Sequence, residues 1–287
     1  MSPAASKDDQ PFLHYTIQHR IVAWISVSLF DHVTYTVRHG LLQGMKRRGG
    51  LGWLPGFLSN PAETPEQRFW KGLDVRGQVV YDVGAFQGLL ALHFAQQARQ
   101  VICYEPNSKN RIRLRENLVL NRIENVQVRD AGLGSQPQNL SMVYSPLMPG
   151  GASVEPKTVE QLLHSATAVK KEEIRITTLD MELADESMPR PDFIKIDVEG
   201  WEIEALRGGR NILTTYRPAL FLEMHGETMN EKKRKVAEII ACLNEFGYRD
   251  IRHIESGTAI TAGNSTAAVE GHLYCPRPGP IGARSVG

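Results

Sequence analysis

VVYDVGAFQG, Val79–Gly88, runs from an unbroken apolar stretch into a turn marked by Gly84 and Gly88, and on into a second apolar segment. β-Branched residues followed by glycine punctuation read as a buried strand, a tight turn and a helix. The next apolar run, VICY, Val101–Tyr104, ends in Glu105. A strand, a glycine loop and an acid at the tip of the following strand make a nucleoside-binding device. The loop lets a ligand approach the backbone, and the acid accepts hydrogen bonds from ribose hydroxyls. This stretch therefore predicts an α/β fold with its ligand at the carboxyl ends of parallel strands.

The loop also narrows the choice of nucleoside. A dinucleotide site wants G-x-G-x-x-G, because the middle glycine lets the backbone touch a pyrophosphate. This chain has G-x-x-x-G, with Ala85 after the first glycine and Phe86 at the middle position. Phe86 would crowd a pyrophosphate. S-adenosylmethionine carries no phosphate, and Asp82 could accept from the ammonium of its amino-acid tail. Asp130 and Ala131, after the third predicted strand, are the candidates for contact with adenine. The rival readings are an NAD(P)-dependent oxidoreductase and a protein that binds the cofactor but performs no chemistry.

Outward from this centre, strand and helix alternate. Strands are predicted at Val79–Val83, Val101–Glu105, Phe193–Ile196 and Pro218–Gly226, with Val126–Leu133 a third strand running into a turn and an extra strand at Ile174–Asp180. Helices are predicted at Leu89–Gln97, Asn107–Asn121, Trp201–Leu213 and Lys232–Phe246. Residues around 248–254 and 272–275 form a terminal antiparallel pair. The expected organisation is an N-terminal helical region over 1–70, a catalytic domain over 71–276 and a flexible tail over 277–287.

The N-terminal region has a helical pattern over Tyr15–Leu42, then the basic cluster Lys46, Arg47 and Arg48, and then an apolar loop, Leu51–Leu58. A basic patch beside aromatic surface can sit on an anionic membrane as a peripheral contact. A helix that packs on the catalytic domain and lids the cofactor is the plainer reading. Pro61–Trp70 reads as a capped helix start. Ser145–Pro156 reads as a flexible segment, either a wall of the substrate mouth or a surface insertion.

Bulk properties exclude several classes. The 287 residues include 33 basic and 32 acidic ones, a net charge of +1, so no global field recruits nucleic acid. The three cysteines, Cys103, Cys242 and Cys275, are far apart and form no C-x-x-C, which argues against disulfides or zinc and suits a reducing compartment. The first ten residues are polar, with expected disorder and no signal-peptide pattern. Ile21–Phe30, the longest apolar-leaning run, is shorter than the ~20 residues a bilayer needs. A cytoplasmic location follows as the expectation.

Asp82, Glu105, Asp130, Asp197, Glu223 and His225 all fall at predicted strand ends and should share one edge of the sheet. The sulfonium is a reactive donor, so positioning an acceptor does most of the work. A hydroxyl acceptor must also lose a proton. His225 could act as general base. Alternatively, Asp197 and Glu223, with or without His225, could hold magnesium or manganese. His225 could also be structural.

DVGAFQG, CYEPN, FIKIDVEGWEIEALRGG and LFLEMHG resemble the FkbM-type S-adenosylmethionine-dependent methyltransferases, from about Val79 to His225 and more weakly to Cys275. The resemblance implies a Rossmann-like class I methyltransferase fold, a mostly parallel seven-stranded sheet with helices on both faces. It implies transfer to a hydroxyl oxygen of a sugar, glycan or related natural product. By motif match, Asp82, Gly84, Gly88 and Glu105 would hold the cofactor, with Ala85, Phe86 and Pro106 as candidates beside them, and Asp197 and Glu199 would lie at the cofactor–substrate junction. The family usually has asparagine where this chain has Phe86.

Overall fold

The computed structural model describes residues 30–49, 62–145, 154, 169–185, 187–226 and 228–277. The predicted N-terminal disorder, the Tyr15–Leu42 helix up to residue 29, the Leu51–Leu58 loop, most of Ser145–Pro156 and nearly all of the tail lie outside these residues.

The described chain opens with a hairpin of β1 (Thr34–Thr36) and β2 (Lys46–Arg48), paired antiparallel. This corrects the helix predicted through Leu42: Thr34, Thr36 and Val37 are β-branched and stiff at χ1, which favours extended backbone. Helix α1 (Pro65–Gly72) begins as expected, with Thr64 and Gln67 forming a reciprocal capping box and proline opening the helix. Next come β3 (Val79–Val83), α2 (Leu89–Ala95), β4 (Gln100–Tyr104), α3 (Ser108–Leu120) and β5 (Val126–Arg129).

The basic cluster is part of β2 and rests on α3. Asn121 and Asn117 accept from the Lys46 and Arg48 amides at 2.8 and 2.9 Å, and Arg48 pairs with Glu116 at 3.5 Å. Arg113 reaches Asp31 at 2.9 Å. These bonds pack the hairpin on the domain.

After β5 the chain leaves the main sheet. The strand predicted over Val126–Leu133 is two strands, because the backbone turns away at Asp130. A second, three-stranded sheet has the order β6 (Gly132–Leu133), β8 (Lys170–Thr177), β7 (Gln138–Tyr144). A single turn, α4 (Leu179–Glu182), follows, and then β9 (Phe193–Ile196). The helix predicted over Trp201–Leu213 is broken into α5 (Glu202–Arg207) and α6 (Arg210–Thr215). Asp180 caps the second piece, accepting from the Asn211 and Ile212 amides at 3.0 Å each. Strand β10 (Ala219–Glu223), helix α7 (Met229–Glu245), β11 (Arg252–His253) and β12 (His272–Cys275) complete the order.

The main sheet is seven-stranded, β11-β12-β10-β9-β3-β4-β5. Strands β10, β9, β3, β4 and β5 run parallel, while β12 and β11 are antiparallel at one edge. The mostly parallel, Rossmann-like arrangement is thus present. Strand β3 is buried on both faces: Val79, Tyr81 and Val83 join one core with Leu206, Ile240 and Leu243, and Val80 joins the other with Trp70, Phe94 and Phe221. Burial on two sides is why the parallel strands read as unbroken apolar runs. It also puts the tips of β3, β4, β9 and β10 on one edge, where polar side chains can face a ligand.

Candidate functional site

At that edge lies a cleft of about 220 Å³. Gly84, Phe86, Glu105 and Pro106 form one wall, and Asp197, Val198, Glu199 and Trp201 form another. Leu133, Met142, Ile174 and Ile176 of the second sheet supply an apolar side. Of the nine residues expected to hold the cofactor, four therefore line the cleft.

The two loop glycines serve close packing. A side chain at Gly84, which has φ +77°, would collide with the Asp197 carbonyl where the tips of β3 and β9 meet. At Gly88, φ +83°, a Cβ would stand 2.9 Å from Leu114 of α3. Ala85 is buried beneath the loop. Phe86 is left-handed, φ +50°, an uncommon conformation for a bulky residue. Glu105 holds it there: Oε2 accepts from the Phe86 amide at 2.7 Å, and Oε1 accepts from the Asn107 amide at 2.9 Å. Burial pushes the Glu105 carboxyl up against the pull of these two amides.

Asp82 is 0 % exposed and stands behind the loop, outside the cleft lining. It pairs in register with Lys195 on β9. The buried ammonium of Lys195 lies 3.3 Å from Asp82 and 3.0 Å from Asp197, and donates to the Gly84 carbonyl at 2.9 Å. Burial alone would favour a neutral amine, but the carboxylates of Asp197 and Asp82 outweigh it and hold the charge. Burial likewise raises the Asp82 carboxyl, with Lys195 opposing it. The expected contact between Asp82 and an ammonium is thus made by the chain's own lysine.

Asp130 also stands apart from the cleft. Its side chain is 68 % exposed and lies 3.7 Å from Arg175, while Ala131 is fully buried. The turn from β5 into the second sheet swings Asp130 outward, and Gly132 and Leu133 reach the cleft instead. Asp130→Asn is accordingly expected to change affinity for S-adenosylhomocysteine by less than about twofold, since exposed pairs contribute little. Calorimetric titration of the variant checks this.

Asp197, Glu199, Glu223 and His225 do come together. One donor atom each from Asp197, Glu223 and His225 lies within 4.8 Å of the others. His225 Nδ1 is 2.8 Å from Glu202, and Nε2 is 3.7 Å from Asp197, 3.7 Å from Glu199 and 3.6 Å from Glu223. Burial would disfavour imidazolium, but Glu202 first, then Glu199 and Asp197, raise His225 to about 10. Glu202 is 1 % exposed and also accepts from the Gly200 amide at 3.0 Å. Burial opposes its charge, and His225 outweighs the burial.

Glu199 is left-handed, φ +52°, with its side chain 42 % exposed. Burial of the carboxyl raises it to about 7, with His225 opposing. Strained backbone beside a cleft is a pointer to function. Lys195 and Glu202, both missing from the sequence reading, left a faint signal: a lysine inside the apolar run FIKI, and an acid one turn after DVEG. The walls from β7 and β8 left none, because only the second sheet brings them to the cleft.

A family model described as the methyltransferase FkbM domain matches residues 82–249. Methyltransferase sdnD of Sordaria araneosa is 28% identical over 153 residues, covering 45% of this chain and 59% of that protein. Methyltransferase 1 of Beauveria bassiana is 25% identical over 144 residues, covering 45% of this chain and 57% of its own. The chain thus spans under two thirds of the length of these two relatives. Hexuronic acid methyltransferase AglP of Haloferax volcanii is 26% identical over 200 residues, covering 64% of this chain and 78% of that protein. A crystal structure of methyltransferase FkbM from Methylobacillus flagellatus superposes with a TM-score of 0.43 at 19% identity, covering 69% of this chain and 43% of that one. Among the described residues no helix is long and apolar enough to cross a membrane.

Proposed function

This chain belongs to the FkbM methyltransferase family, and from that premise we propose that it transfers a methyl group from S-adenosylmethionine to a hydroxyl oxygen of a sugar, glycan or related natural product. The observation that carries the reading is one cleft whose walls hold both Glu105 and the Asp197–Glu199 loop. A cofactor-holding acid and a pair of carboxylates for an acceptor thus face the same space. The name of the Haloferax relative, a hexuronic acid methyltransferase, supports a sugar acceptor.

The residues fit the cofactor. Glu105 Oε2 accepts one hydrogen bond, from the Phe86 amide, and keeps a second acceptor site for a ribose hydroxyl, while Oε1 accepts from the Asn107 amide and, at 3.5 Å, from the Asn110 side chain. Phe86, Pro106, Leu133 and Ile176 offer an apolar surface to a flat base. When bound, S-adenosylmethionine supplies an electrophilic methyl group on a positively charged sulfur. The protein's part is to align an oxygen with it and take up the oxygen's proton.

Glu199 is the group assigned to that proton. It lines the cleft, it is half-exposed, and it lies 3.7 Å from His225. His225, the base considered from sequence, is tied through Nδ1 to Glu202, and its other nitrogen is ringed by carboxylates that hold it charged. The surrounding carboxylates favour its charged form, which has no lone pair for a further proton. Asp197 is fixed by Lys195 and faces the cleft as a hydrogen-bond acceptor for the acceptor molecule.

Calorimetric titration with S-adenosylhomocysteine tests the cofactor, and a mass-spectrometric screen of hydroxylated sugars for the gain of one methyl tests the acceptor. Tight binding of a nicotinamide dinucleotide in place of the homocysteine compound would overturn the reading. Glu105→Ala is expected to weaken S-adenosylhomocysteine roughly 10- to 100-fold, because it removes a charged acceptor for the ribose and frees the Phe86 amide.

A further inference from the structure

We propose that Asp197, Glu223 and His225 form a binding site for one divalent cation of the manganese(II) or zinc(II) kind, with Glu202 as the outer group that orients the imidazole. The site stands on its own geometry, while its role in catalysis rests on the methyl-transfer reading. Strands β9 and β10 are neighbours with Ile196 opposite Leu222, so Asp197 and Glu223 are adjacent tips. One carboxylate oxygen of each lies within 4.8 Å of the other and of a His225 nitrogen. Two carboxylates this close favour a proton or a cation between them.

The distances favour a cation. From Nε2 the oxygens of Glu223, Asp197 and Glu199 lie 3.6, 3.7 and 3.7 Å away. These are too long for hydrogen bonds, which run to about 3.2 Å. Ligands held ~2.1 Å from one ion lie roughly 3–3.5 Å apart, so a small inward movement would close the shell. The ring is already turned for it. Nδ1 is 2.8 Å from a Glu202 carboxylate that is itself buried and fastened to the Gly200 amide. A histidine held by a carboxylate through one nitrogen, with the other facing a ring of oxygens, is the outer-shell pattern of metal-binding histidines. Glu223 has an outer partner too: its second oxygen is 3.8 Å from His272, which is held by Glu255 at 2.6 Å.

Charge points the same way. Four carboxylates surround one imidazole; Lys195 sits on the far oxygen of Asp197 and is shared with Asp82, and His272 faces the far oxygen of Glu223 at 3.8 Å. A proton on Nε2 offsets one of these charges, whereas a divalent ion in the same gap offsets two. One nitrogen and two oxygen donors suit manganese or zinc better than magnesium or calcium, which prefer all-oxygen shells. Because Asp197 lines the cleft, the ion's open face would meet the acceptor oxygen and make its proton easier to remove. The balance of the transfer is simple. The O–H proton goes to Glu199, an O–CH₃ bond forms, the S–CH₃ bond breaks, and the sulfur keeps its electron pair as S-adenosylhomocysteine.

The test uses the full chain stripped with a chelator, then titrated with manganese(II) chloride and followed by calorimetry and electron paramagnetic resonance. One ion per chain is expected, with coupling to one histidine nitrogen in the pulsed spectrum, a readout that needs no variant. Glu223→Gln and His225→Ala should weaken binding at least tenfold, and Glu202→Gln roughly 10- to 100-fold. Glu238→Gln, on the exposed side of α7, should leave it unchanged. Absence of a bound ion, absence of nitrogen coupling, or equal affinity in Glu223→Gln would overturn the site. S-adenosylhomocysteine is titrated on the same stripped protein. If it binds while manganese does not, the cation site fails and the methyltransferase reading stands; if manganese binds and the homocysteine compound does not, the reverse holds.

Discussion

Lys195→Met is expected to lower the stability of the protein by about 3–5 kcal/mol, the cost of stranding buried charge when one partner of an ion pair is removed. The lysine is buried between Asp82 and Asp197, and it also donates to the Gly84 carbonyl. Methionine keeps the length of the stem and loses the charge and the donors. Asp82, fully enclosed at the centre of β3, would then carry a charge with no counter-ion, or take up a proton. Thermal denaturation reads the loss as a fall in Tm of roughly 10 °C. The double variant Lys195→Met with Asp82→Asn should recover part of it, because the stranded charge is gone. A fall of under 2 °C in the single variant would mean that the triad contributes nothing and that Asp82 is already neutral.

The second large effect is kinetic. Glu199→Gln should lower kcat for methyl transfer by roughly 10²–10⁴-fold, the span of general acid–base catalysis, with affinity for S-adenosylhomocysteine changed less than about twofold. Glutamine has nearly the same shape and leaves the left-handed turn in place, but it cannot accept a proton. Glu199 stands clear of Glu105 and the glycine loop in the opposite wall of the cleft, so cofactor binding should be spared. Single-turnover rates with a hydroxylated acceptor, set beside calorimetry of the same variant, make the measurement. Equal rates for variant and parent would remove Glu199 from the chemistry.

The fold was legible because parallel strands buried on both faces are mostly apolar, and this chain has such runs at Val79–Val83, Val101–Tyr104, Phe193–Ile196 and Ala219–Leu222, broken only by the paired Asp82 and Lys195. Glycine and acid punctuation at their ends marked the ligand edge. The N-terminal hairpin was misread as the end of a helix because a hydrophobic pattern along one stretch carries no information about pairing across a turn. The break between α5 and α6 was invisible for a related reason: the cap of α6 comes from Asp180, about thirty residues upstream, through the bonds it accepts from Asn211 and Ile212.

The alternation of the central strands and helices, the edge of the sheet that faces a ligand and the gathering of Glu105, Asp197, Glu223 and His225 at that edge follow from local pattern, while Glu199 entered through the family resemblance. Hydrophobic period and strand-end position are properties of neighbouring residues. Tertiary structure alone decided which acids remain available. Asp82 is ion-paired with Lys195 on the neighbouring strand, Asp130 is carried outward by a turn into a second sheet, and His225 is claimed by Glu202. A side chain's charge and reach depend on partners distant in the chain, and those partners meet only when the strands have packed.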